Sequence, residues 1–204
     1  MKTLFSFLLG LSVLQAQVKE VKIGTQVWMA ENLNVATYRN GDPIPQAKTQ
    51  KEWNKASVNQ QPAWCYYNND PVNGKKYGKL YNWYAVNDAR GLAPAGYHIP
   101  TDDEWTILKD YLGRETLVGT KMKSTSGWYE NGNGTNSSGF NGLPGGYRYL
   151  DGTFDFIGKD GYWWSSTEYK PDSAWGHYLD YSSGNVFRYG NKEGGGFCVR
   201  CLRD

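Results

Sequence analysis

The stretch "YGKLYNWYAVNDARGLAPAGYHIPTDDEWTILKDYLG", residues 77–113, holds two helical patterns joined by a turn-rich connection. In its second half, Thr101 stands at an N-cap and Glu104, three residues on, completes a capping box. Asp102 and Asp103 suit the positive end of the helix that follows. Trp105, Leu108, Tyr111 and Leu112 then recur at helical spacing, and Gly113 follows as a C-cap. Pro100 keeps His98 and Ile99 out of that helix. In the first half, Leu80, Trp83, Tyr84 and Asn87 recur by three and four and predict a shorter helix.

Upstream, "VKEVKIGTQVWMAENLNVATY" (18–38) alternates as strands around a Gly24-Thr25 turn. "TQKEWNKA" (49–56) carries a second capping box, Thr49 with Glu52, and predicts a short helix. "NQQPAWCYYNNDPVNGKKYG" (59–78) reads as loop around a cluster of rings. Downstream, "GGYRYL", "GTFDFIG", "GYWWSSTEY", "AWGHYLDY", "NVFRYG" and "GFCVRCL" are short, ring-rich and separated by turn signals. They predict antiparallel strands. "ENGNGTNSSGFNGLPGG" (130–146) is anchored by Phe140, Leu143 and Pro144 and reads as an ordered surface loop. Helices first and strands after give an α+β domain.

The 204-residue chain opens "MKTLFSFLLGLSVLQAQ". Lys2, the apolar run Leu4–Leu14 and the small Ala16 have the order of a secretory signal peptide over residues 1–16. That leaves 17–204 as a single domain, expected to be secreted or at the cell surface. The apolar run is too short to span a bilayer, and no later stretch could do so. Lys+Arg number 22 against 20 Asp+Glu, with no basic run, so nothing marks a nucleic-acid partner. With 9 Trp and 16 Tyr, the core is expected to be built from rings.

No HExxH, GxSxG, P-loop or dinucleotide fingerprint is present. His98 is read as a structural histidine. His177 shares a strand face with Trp175 and Leu179 if that strand is regular. Asp102 and Glu104 are explained by the helix start they occupy. Gln60–Pro62 is followed by Ala63 rather than a carboxylate, so no calcium site is predicted, and no other metal or cofactor is expected. Cys198 and Cys201 are three apart. In a strand they point to opposite faces about 10 Å apart, beyond the ~7 Å that a disulfide needs.

Residues 77–113, together with "GTKMKSTSGW" (119–128), "NSSGFNGLPGGYR" (136–148), "GYWWSSTEY" (161–169) and the terminal "VRC" (199–201), resemble the Fibrobacter succinogenes major paralogous domain family. The resemblance covers nearly all of residues 17–204. It implies a C-type lectin-like fold close to the formylglycine-generating-enzyme subtype, with two helices flanking a twisted antiparallel sheet and long ordered loops. It also implies a disulfide between Cys65 and Cys201, which match the family's cysteine positions, leaving Cys198 free. Formylglycine-generating relatives bind copper with a close cysteine pair and oxidise a thiol, which makes such an oxidase the second functional expectation. A structural subunit of a surface assembly is the third.

The first expectation is non-catalytic binding of a glycan or surface protein by a monomer. Alternation leaves more rings on the last strands than one face can bury. Tyr169, Trp175, His177, Tyr181, Arg188 and Tyr189, within the surface from Glu168 to Asn191, are the expected contacts. Rigid rings interleaved with polar side chains lose little entropy on binding.

Overall fold

The computed structural model describes residues 18–113 and 115–204. The expected leader, residues 1–16, lies outside the described residues. The first hairpin joins β1 (Glu20–Ile23) to β2 (Gln26–Met29). Its turn residue Gly24 has φ 62°, and a Cβ there would come within 2.8 Å of the Tyr111 ring. Only glycine allows that backbone and that contact together.

The helices α1 (Gln50–Val58) and α4 (Asp102–Leu112) each begin with the complete expected capping box. Trp105, Leu108 and Leu112 of α4 are buried as expected. Tyr111 is not in that stripe: it is 65% exposed, lying over the hairpin turn.

Segment 59–78 is more regular than a loop. It holds β3 (Trp64–Cys65) and α2 (Pro71–Tyr77). Asp70 accepts a hydrogen bond from the Val72 amide, and Pro71 fills the first turn, where its missing N–H is not needed. The helix expected from Leu80 shrinks to one turn. Leu80 and Tyr81 form β4 and pair with Cys65 and Trp64. The side-chain Oδ1 of Asn82 then accepts from the Ala63 and Ala85 amides, and as N-cap it starts α3 (Trp83–Val86) only after Tyr81. The short strand β5 (Tyr97–His98) precedes α4. A further helix, α5 (Glu115–Met122), stands where no helix was expected, and it has no clear apolar stripe to announce it.

The remaining strands are β6 (Gly145–Arg148), β7 (Phe154–Ile157), β8 (Asp160–Lys170), β9 (Ser173–Asp180), β10 (Val186–Lys192) and β11 (Leu202–Arg203). The described residues form three sheets rather than one. Their orders are β1-β2-β11-β5, β10-β9-β8-β6-β7 and β3-β4. Among the strand pairs of the described residues only β6–β8 is parallel. The architecture is α+β, as expected. No helix among the described residues is long and apolar enough to cross a membrane.

Residues 196–203 join the sheets. Gly196 pairs with Arg148, Phe197 with Tyr81 and Cys198 with Trp163. Leu202 then pairs with both Trp28 and His98. Two ring-rich cores lie on either side of this segment. Trp28, Trp53, Trp105 and Trp163 belong to one, and Trp64, Tyr81, Trp83, Trp164 and Phe197 to the other. Each buried tryptophan removes roughly 150–250 Å² from water, about 4–6 kcal/mol as an upper bound.

The two cores also decide the cysteines. Cys65, Leu80 and Cys198 face the first core, and Cys201 faces the second. Cys198 and Cys201 thus point to opposite sides, as strand geometry requires. The expected Cys65–Cys201 disulfide does not form, because the two thiols lie in different cores. All three cysteines are free and buried.

Candidate functional site

The five-stranded sheet presents two unlike faces. Pairing of β9 with β8 and β10 sets Trp163 beside His177 and Arg188 on one face. It sets Tyr162 beside Tyr178 and Phe187 on the other.

The first face is closed by α4. Asp102, in the first turn of that helix, accepts from Arg188 Nε and Nη2, both at 2.6 Å. The Arg188 guanidinium covers the Trp175 ring at 3.3 Å, and Tyr169 packs on Trp175 at 4.2 Å. His177 is fully buried and stacks on Trp105 at 4.6 Å with the rings 16° apart. Its Nε2 is 3.2 Å from Asp102 Oδ1 but is not aligned for a hydrogen bond. Burial lowers the His177 pKa against the pull of Asp102. Burial also favours the neutral form of Asp102, but His177 and Arg188 outweigh it and hold that carboxyl at about 2.

This arrangement clamps a helix to a sheet. His177 has no surface to offer a ligand, and Arg188 is committed to Asp102. Tyr169 and Trp175 form the outer edge of the same clamp. Tyr181 lies elsewhere, edge-on to Tyr129 at 5.4 Å. The expected contact set is therefore not one site.

The second face is partly open. Phe156, Tyr147, Tyr162, Tyr178 and Phe187 stand on five consecutive strands, β7, β6, β8, β9 and β10. Tyr162 and Tyr178 are 5.0 Å apart and 24° from parallel, and Tyr178 and Phe187 are 4.7 Å apart and 17° from parallel. Tyr147 and Phe156 are 5.7 Å apart at 13°. These separations follow the inter-strand spacing of ~4.8 Å. Parallel rings touch at roughly 3.5 Å, so within each of these pairs they overlap like tiles. The two runs meet edge-on, with Tyr147 and Tyr162 4.8 Å apart at 64°. Phe156 holds φ 65°, an uncommon conformation for a bulky residue and one that costs about 1–3 kcal/mol. Such strain is found most often at binding and catalytic sites.

Tyr189 and Tyr149 flank the row and are 55% and 40% exposed. They help line a groove of about 350 Å³ with Tyr147, Tyr162, Tyr178 and Asn191. Of the six expected contacts, only Tyr189 lines it. At the start of β8, on the same face as the row, Asp160 is buried and accepts from the Tyr162 hydroxyl at 2.8 Å. Burial, with Asp180 nearby, raises the Asp160 carboxyl to about 6 against that hydrogen bond.

The family model described as the Fibrobacter succinogenes major domain matches residues 21–203. The chain belongs to this family. No curated protein and no solved structure matches it. In this Fibrobacter succinogenes major domain the matched segment spans both cores, the clamp and the ring row.

His98 and the three cysteines lie outside this groove. His98 is held between Asp204 Oδ1 at 2.7 Å and Glu104 Oε1 at 2.9 Å. Burial works against its charged form, but the two carboxylates outweigh it and raise its pKa. The thiols of Cys65, Cys198 and Cys201 are each pushed up by burial to about 12.

Proposed function

We propose that this domain is a non-catalytic binding module with a C-type lectin-like architecture, working outside the cytoplasm. Its ligand is a glycan seated in the groove beside the ring row. The observation that carries this reading is the row of one ring per strand, two tiled runs that meet edge-on at Tyr147 and Tyr162, open to solvent between Tyr149 and Tyr189. Tiled tyrosines offer ring faces to the C–H surface of a sugar and phenol groups to its hydroxyls. The leader-like pattern of residues 1–16 supports an extracytoplasmic setting.

An oxidase of the formylglycine-generating type fits less well. Its cysteine pair must share one copper ion, whereas Cys198 and Cys201 face separate cores. Their buried thiols also resist forming the thiolate that binds a metal.

Glycan-array screening followed by calorimetry on the best hit tests the binding reading. A Tyr149→Ala/Tyr189→Ala variant, altered only at exposed rings, is expected to keep its melting temperature and lose binding. Full binding by that variant would place the ligand elsewhere. Capture of a cell-surface protein with no glycan signal would replace the ligand class. Recovery only in a stable complex would favour the structural subunit.

A further inference from the structure

Arg200 is 1% exposed. Among the described residues no carboxylate lies within salt-bridge distance of it. Its Nε and Nη2 donate to Asn32 Oδ1 at 3.0 and 2.6 Å. Its Nη1 donates to the carbonyls of Met29 and Phe140. Those four bonds leave one Nη2 hydrogen of the five guanidinium donors without a protein acceptor. Amide dipoles satisfy donors but do not neutralise a buried charge, and an unpaired buried charge is costly. Burial lowers the Arg200 pKa to about 10. Arg188 differs, because the fold supplies it with Asp102.

Arg200 borders a pocket of about 290 Å³ between the segment after β2, helix α2 and Asn141. A water takes roughly 30 Å³, so there is room for a polyatomic ion with part of its hydration shell. Asn32 and Asn34 line the wall, and the lysines of α2, Lys75 and Lys76, line the rim. The single acidic residue of the lining is Glu31, which is already paired with Lys19 at 2.6 Å. The pocket thus joins two exposed cations to a buried cation that lacks a counter-charge.

We propose that this pocket binds a small oxyanion of phosphate size, which accepts from Arg200 Nη2 and is enclosed by Lys75 and Lys76. The anion supplies a charge in direct contact, where the described residues place no carboxylate within salt-bridge distance of Arg200. This site lies apart from the ring groove and shares no lining residue with it.

Calorimetric titration of inorganic phosphate into the full chain, at constant ionic strength set by chloride, tests the proposal. The wild type is expected to show saturable one-site binding. Lys75→Gln/Lys76→Gln, changed only at exposed side chains, is expected to weaken it by at least about fivefold. Glu31→Gln, which removes the like charge from the rim, is expected to tighten it by about twofold or more. Thermal melting confirms that both variants are folded. No saturable binding in the wild type overturns the proposal, and so does an unchanged affinity in both variants.

Discussion

Asp102 and Arg188, 86 residues apart, meet in a two-pronged ion pair with both contacts at 2.6 Å. The pair fastens the first turn of α4 to β10, and His177 and Trp175 pack around it. Arg188→Ala is expected to cost about 1–2 kcal/mol in urea denaturation, discounted because its side chain is 38% exposed. Asp102→Ala is expected to cost more, about 2–4 kcal/mol, because it removes the contact with His177 and the negative charge in the first turn of α4 as well as the Arg188 pair. The Asp102 carboxyl is depressed in the fold, so its contribution is present above about pH 4. It is lost as pH falls towards about 2. Equal losses in the two variants would contradict this account.

Asp160 behaves in the opposite sense. Its folded pKa is raised, so the stability linked to it is present below about pH 4 and is lost as pH rises through about 6. Asp160→Asn keeps an acceptor for the Tyr162 hydroxyl and removes the buried charge. Its melting temperature is expected to exceed that of the wild type at pH 7.5 and to match it near pH 4. A lower melting temperature at pH 7.5 would show that the ionised carboxylate stabilises the fold.

Asn32 is the acceptor that Arg200 and Trp163 share, and its amide nitrogen donates to the Tyr77 carbonyl. Asn32→Ala removes all four bonds and leaves a buried guanidinium poorly satisfied. A loss of about 3–5 kcal/mol is expected by denaturant unfolding. Asn32→Asp would give Arg200 an internal counter-charge. It is therefore expected to be less damaging than alanine and to abolish phosphate binding.

The cysteines make a simple prediction. Three thiols per chain are expected to react after denaturation, and reaction in the native protein is expected to be slow. Reducing agent is expected to leave the melting temperature unchanged. A count of one thiol would restore the Cys65–Cys201 bridge.

Several elements were legible in the sequence because their signals are local. The capping boxes at Thr49 and Thr101 lie within four residues of the helices they start, and both helices form. Asp70-Pro71 is an equally local signal, but in a polar, ring-bearing segment it reads as a turn. The ring groove was not legible, and the reason is physical. Alternation separates His177 from Tyr178, yet it cannot say which of the two faces a helix will cover. That depends on Asp102 reaching Arg188 from a distant segment. Once α4 takes the Trp163 and His177 face, Tyr162 and Tyr178 are left on the open one. The tyrosines recurring in "GGYRYL", "GYWW" and "HYLDY" were the available sign, one or two to each strand.

Residues 196–203 make backbone pairs with all three sheets in turn. Until those residues are free to fold, the three sheets have no shared edge and the two cores stay open along one side. Docking of the three sheets on one another therefore depends on residues 196–203, which act as one seam for the whole fold.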